Sequence, residues 1–204
     1  MKNGNLYIIS APSGAGKTSL VKKLISKLDN LVVSVSHTTR LPREGEVDGK
    51  DYFFVDVETF STMQKENAFL ESAQVFDNYY GTAQKTVEDN LAKGHDVILE
   101  IDWQGAQQIR LLIPGCISIF VLPPSIEILR QRLERRAKDD AEVIESRMNQ
   151  AIAEMLHYSE FDYLIVNDDF DLALSSIKSI VVTNRLKQER QAHSLQPLLL
   201  NLMA

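Results

Sequence analysis

The chain has 204 residues, 44% of them apolar, with a formal net charge of −6 and an isoelectric point near 5.3. That suits one domain, or one domain with small inserts, around a substantial core, and it excludes a disordered chain. The acidic balance excludes general binding of nucleic acid or of an anionic membrane, so any basic residues that converge are aimed at a small anion.

In chain order, short β-branched runs alternate with helical patterns. Leu6–Ile9 reads as a buried strand and Ser19–Leu28 as a helix. Leu31–Val35 is a second strand, followed by a polar loop from His37 to Asp51. Asp56 can cap a helix to about Glu66. Phe69–Val75 is strand-like, and Thr82 can cap a helix that runs to Lys93 and ends at Gly94. Val97–Ile101 is a strand, Gln104–Leu112 a helix, and Ile117–Leu122 a strand closed by Pro123 and Pro124. Ser125 then caps a helix through Arg136, and another begins near Glu142 after the charged break "AKDDAE". Tyr163–Val166 is the last strand, and a long helix follows from about Asp171.

This alternation predicts an α/β fold: a parallel sheet with helices on both faces. Residues 37–82 and 137–146 read as insertions, suited to flaps over a site at the carboxyl ends of the strands. No stretch approaches a membrane span, and the apolar run in "MKNGNLYIIS" is too short for a signal peptide. Cys116, the only cysteine, has no internal disulfide partner; it reads as a structural thiol and fits a reducing cytoplasm.

The stretch "SAPSGAGKTSL" departs from the phosphate-loop pattern G-x-x-x-x-G-K-S/T at its first position, where Ala11 stands. The chemistry survives that change. Gly14 and Gly16 let backbone N–H groups turn toward phosphate oxygens. Lys17 reaches the terminal phosphates, and Thr18 offers a hydroxyl to Mg²⁺. The helix that follows adds positive potential at its N-terminus. Ala11, Pro12, Ser13, Gly14, Ala15, Gly16, Lys17 and Thr18 are therefore the expected donor-nucleotide contacts.

In "DVILEID", period two puts Ile98, Glu100 and Asp102 on one face and Val97, Leu99 and Ile101 on the other. One of the two carboxylates can serve Mg²⁺ or its water. Arg40 and Arg43 carry guanidinium forks that match phosphate, or else they pair with Glu44 and Glu46 at the surface. On the helix after Ser125, the inward stripe is Ile126, Leu129 and Leu133. Arg132 and Arg136 share another face, and Arg147 lies beyond the charged break; together they can neutralise a transferring phosphoryl group, or simply form a solvated face.

With these residues assembled, the chain resembles the guanylate kinase family, of the bacterial soluble type, from about Asn5 to about Asn184. The resemblance is carried by "SAPSGAGKTSL", "SVSHTTRLPREGEVDGKDYFFV", "FLESAQVFDNYYGT", "ILEIDWQGA", "LPPSIEILRQRLERR" and "LIVNDDF", in this order. It implies a phosphate-loop core over 1–36 and 83–204, a small mixed GMP-binding insert over 37–82 and a helical lid at about 135–147. It implies that Arg40, Arg43, Tyr52 and Tyr80 hold the GMP phosphate, that Glu71 reads guanine with help from Ser36 and Thr82, and that Asp102 also contacts GMP. Asn167 stands where the family places residues near adenine, and Glu100 where others carry aspartate, at the metal.

The chemistry of the base agrees. Guanine presents two adjacent donors, N1–H and the 2-amino group, and an ionised carboxylate accepts both, whereas adenine sets a lone pair against it. The expected reaction is transfer of the γ-phosphoryl group of ATP, with Mg²⁺, to GMP, by positioning and charge neutralisation through Lys17, Arg132, Arg136 and Arg147. The rivals are a non-catalytic guanylate-kinase-like binding module, a kinase for another monophosphate, and a GTPase, for which no N-K-x-D segment is present. The last twenty residues lie outside the match and either pack on the fold or form a contact in a homo-oligomer.

Overall fold

The computed structural model describes residues 4–75, 77–136 and 141–203, with the side chains of Arg136 and Ala141 outside the described set. Its first strand, β1 (Leu6–Ser10), is buried along its whole length and leads through the glycine-containing loop into α1 (Lys17–Ile25). The edge strand β2 (Leu31–Val33) follows, then the short β3 (His37–Thr38) and β4 (Phe53–Phe54), α2 (Val57–Lys65), and the hairpin β5 (Phe69–Val75) and β6 (Asn78–Ala83). Helix α3 (Gln84–Ala92) returns the chain to β7 (Asp96–Glu100), and α4 (Trp103–Leu112) to β8 (Ile117–Leu122). Helices α5 (Ile126–Arg136) and α6 (Ala141–Met155), a 3₁₀ turn (Leu156–Glu160), β9 (Tyr163–Val166) and α7 (Phe170–Arg185), α8 (Gln188–Ser194) and α9 (Gln196–Leu202) complete it.

The larger sheet has the order β2-β7-β1-β8-β9, every neighbouring pair parallel, so crossover helices must cover both faces. They do so by the alternation of each strand. Tyr7, Ile9 and Ile98 turn toward Leu20, Val21 and Leu24 of α1 and Ile177 of α7. Leu6, Ile8, Val97 and Leu99 turn the other way, toward Val87 of α3 and Ala106 and Ile109 of α4. Each large side chain buried in this way contributes about 1.5–3 kcal/mol.

The smaller sheet, β4-β3-β6-β5, sits within residues 37–83. Its own core is aromatic: Phe60 of α2 stacks on Phe69 at 4.6 Å and on Tyr79 at 5.6 Å. His37 is absorbed here too, stacked on Phe53 at 4.8 Å, and burial lowers its pKa.

Several expected boundaries shift for local reasons. Helix α1 starts at Lys17, not Ser19, and stops at Ile25, not Leu28; Gly16, at φ 92, closes the loop as the N-cap. The polar segment 37–51 is not all loop, because His37–Thr38 pairs with both β4 and β6. Thr82 does not cap a helix. It is a strand residue of β6, its hydroxyl donates to Glu71, and Ala83 is the N-cap. Ile126 is exposed; the inward stripe of α5 is Leu129 and Leu133, packed on Met148 and Ala151 of α6. Asp56 and Ser125 do cap as expected, accepting from Thr59 N and Ile128 N. Cys116 is half-buried and burial pushes its thiol up, as a structural thiol requires.

Candidate active site

The carboxyl ends of β1 and β7 open into a cleft of about 550 Å³. The glycine loop forms one wall. Gly14 and Gly16 have φ 89 and 92, the left-handed region that a side chain strains. Gly16 also faces Asn167, whose Nδ2 would lie 2.4 Å from any Cβ placed there. Pro12, Ser13, Gly14, Gly16, Lys17 and Thr18 line the cleft together with Ala11. Ala15 does not: it is fully buried, and its N–H donates to Pro12 O at 3.1 Å.

Beside the loop, Lys17 Nζ donates to Ile101 O at 3.4 Å, and Thr18 Oγ1 donates to Glu100 Oε2 at 3.1 Å. Glu100 ends β7 on the same side as Ile98, which is why the strand alternation brings it to Thr18. Asp102, two residues on, lines the cleft but is also the N-cap of α4, accepting from Gly105 N at 2.9 Å and Gln104 Nε2 at 3.3 Å. Of the two carboxylates, Glu100 is therefore the one joined to the loop hydroxyl. Two adjacent hard oxygen ligands suit Mg²⁺, which keeps several waters and takes further oxygens from phosphates.

At the far end, Glu71 is 4% exposed and Thr82 is fully buried behind it. Thr82 Oγ1 donates to Glu71 Oε1 at 2.6 Å. Burial pushes Glu71 up to about 7, with the nearby Asp102 adding to the rise and the Thr82 hydrogen bonds working against it. Ser36, Tyr52 and Tyr80 complete that end. Burial also raises the Tyr52 phenol, leaving it a donor.

A second cavity of about 700 Å³ adjoins the first and holds Arg40 and Arg147, with Ser13, Arg43, Tyr80 and Glu154 lining both. Arg40 is not an open fork. It is held by Glu46 at 2.9 and 3.0 Å, and its guanidinium lies 5.3 Å from the Tyr52 ring centre. Glu46 also accepts from Arg43 N at 2.8 Å, so one carboxylate shapes the whole arginine turn. The surface pairing weighed for Arg40 is thus an organising contact, and it runs to Glu46.

Arg132 lines the first cavity; its Nη2 donates to Asn167 O at 3.0 Å, while Nη1 is buried without a hydrogen-bond partner among the described residues. Arg136 was expected beside it, but its side chain lies outside the described residues. The lid expected at about 135–147 likewise falls partly outside them, residues 137–140 being undescribed. Asn167, expected near adenine, lines neither cavity among the described residues. It is 5% exposed, and its amide donates to Ala15 O at 2.7 Å, from beneath the loop.

Glu154 is a residue that sequence reasoning missed. It is carried by α6 at the junction of the two cavities; burial raises its pKa, against the pull of Lys17 and of the Ser13 N–H. Its seven-residue spacing from Arg147 puts both on one helix face, and that periodicity was the available signal.

The guanylate kinase family profile matches residues 3–184. The guanylate kinase of Methylococcus capsulatus is 59% identical over 100% of both chains, and that of Saccharophagus degradans 60% identical over 98% of each. A crystal structure of guanylate kinase from Anaplasma phagocytophilum superimposes with a TM-score of 0.78 at 37% identity, covering 93% of this chain and 90% of that one.

Proposed function

The chain belongs to the guanylate kinase family and is an ATP:GMP phosphotransferase; from that premise we propose how its cleft divides the work. ATP enters over the loop 11–18, whose N–H groups and Lys17 meet the β- and γ-phosphates. Thr18 and Glu100 would hold Mg²⁺ or its water, and the ion would supply charge neutralisation to the phosphates. GMP enters the opposite end. Arg40, Arg43, Tyr52 and Tyr80 take its phosphate, while Glu71 reads N1–H and the 2-amino group with Ser36 and Thr82 beside it. Asp102, between the two ends, orders the first turn of α4 against the acceptor.

The nucleophile is an oxygen of the GMP phosphate, already ionised at neutral pH, so no general base is required. Catalysis is alignment plus neutralisation. Lys17 and Arg132 act from the core, with Arg136 and Arg147 from the lid at about 135–147. Residues 37–82 are the GMP-binding insert, and 1–36 with 83–204 the core. Asn167 serves the donor site indirectly, by holding Ala15 from below. The presence of Lys17, Arg132 and Arg147 favours the enzyme over a non-catalytic module. GMP and ATP are the partners, the acidic charge disfavours polyanions, and the lone half-buried thiol suits a cytoplasmic setting. No described helix is long and apolar enough to cross a membrane.

The observation that carries this reading is the pairing, in one cleft, of a Lys17–Thr18–Glu100 cluster with a buried Glu71 facing the same space. Its test is Lys17→Ala in an ADP-release assay with saturating GMP. Loss of a preorganised charge at the transferring group lowers kcat by about 10²-fold or more, while the melting temperature holds. Turnover near the wild-type rate would remove Lys17 from the mechanism.

A further inference from the structure

We infer that Gly105, through the side chain it lacks, is the positioning residue that sets the carboxylate of Glu71 for guanine, a role that rests on Glu71 being the base reader. Gly105 lies in the first turn of α4 and donates its N–H to the capping Asp102 at 2.9 Å. Its backbone is ordinary helix, not the left-handed region that favours glycine. Within a helix, glycine is about 1 kcal/mol worse than alanine. Local structure therefore gives no reason for glycine here, and helix propensity argues against it.

The reason lies across the cleft. A Cβ on Gly105 would stand 2.5 Å from Glu71 Oε2 and 3.1 Å from Glu71 Cδ. Those are far inside van der Waals contact, so the carboxylate would have to move. Its other oxygen is pinned, because Oε1 accepts the Thr82 hydroxyl at 2.6 Å and Thr82 is fully buried in β6. A methyl at 105 thus swings Oε2 about the Thr82 contact. The bidentate plane that guanine needs tilts away from N1–H and the 2-amino group. Such a shift at the end of a side chain costs little folding energy. Its consequence falls on base recognition.

The test compares Gly105→Ala, Glu71→Gln, Glu71→Asp and the double change Gly105→Ala with Glu71→Asp, each assayed for KM(GMP), KM(ATP), kcat, AMP use and melting temperature. Gly105→Ala raises KM(GMP) about tenfold or more, the worth of one charge-assisted hydrogen bond. KM(ATP) stays unchanged, kcat at saturating GMP stays within about threefold, the GMP-over-AMP preference narrows, and the melting temperature stays level or rises with the gain in helix propensity. Aspartate, one methylene shorter, withdraws the carboxylate from the new methyl, so the double change costs less than the product of its two single changes. Multiplicative costs, or an unchanged KM(GMP) in Gly105→Ala beside a raised one in Glu71→Gln, overturn the role of Gly105 and leave Glu71 as the reader. An unchanged KM(GMP) in Glu71→Gln overturns both. Loss of the melting transition in Gly105→Ala overturns the role as well, since it would make the glycine a requirement of the fold.

Discussion

As the proposed reader of guanine, Glu71 is a carboxylate that must be buried to be selective and ionised to be useful. Burial raises it to about 7, above the ordinary carboxylate value of 4.5, so the folded protein favours the protonated form. The sign for stability follows: this group's contribution is fully present below about 4.5 and is lost as pH rises through about 7. The sign for binding is opposite. Guanine's two donors need the ionised form, so KM(GMP) is lowest above pH 7 and rises by up to about tenfold per pH unit below it. The second ionisation of a phosphate monoester near ~6 falls in the same window. Glu71→Gln separates the two, since the substrate's own titration survives in the variant. A KM(GMP) profile that is steeper in the wild type than in Glu71→Gln between pH 5.5 and pH 8, measured at constant ionic strength, is the expected result; parallel profiles would assign the pH dependence to the nucleotide.

Elements meet at buried charges as well as at apolar faces. Asp96 opens β7 and is fully buried. It accepts from Asn5 N at 2.7 Å, Arg185 Nε at 2.7 Å and Arg190 Nη1 at 2.6 Å. One carboxylate thus ties β7 to the ends of α7 and α8, which settles how α8 packs on the fold, while α9 leaves Leu198, Leu200 and Leu202 exposed. Arg190→Ala removes one of three donors and is expected to cost about 1–3 kcal/mol, lowering the melting temperature by about 2–4 °C for each kcal/mol in a chain of this size. Kinetics with GMP and ATP should be unchanged, because Asp96 lies at the opposite end of β7 from Glu100. A second tie is Glu160, between α4 and the 3₁₀ turn. Burial would raise it, but hydrogen bonds from His157, Gln107 and Arg110 outweigh burial and bring it down to about 2. Its contribution is therefore present above about 4.5 and fades as pH falls toward 2.

At the scale of the whole molecule, the proposed reaction draws on two ends of one cleft that come from distant parts of the chain. Most of the parallel core was legible in the sequence, because β-branched runs in crossover order admit few folds; β8 and β9 begin and end where their runs do. The loop and Glu100 were legible for a related reason, as strand alternation alone carries Glu100 to Thr18. The insert was not. His37–Thr38 is too short to show a period, and Thr82 has the side chain of a helix cap but spends its hydroxyl on Glu71. Asn167 and Gly105 act on other residues across distances that no local pattern records.

The central claim is that this cleft accepts a phosphoryl group on GMP and refuses other monophosphates. The direct measurement is ADP release from ATP with GMP, AMP, CMP and UMP in parallel, at equal concentrations and fixed Mg²⁺. Turnover is expected with GMP, and kcat/KM lower by about 10⁴-fold for AMP, because a buried carboxylate set for two donors meets a lone pair instead. Comparable kcat/KM for GMP and any of the other three would contradict it.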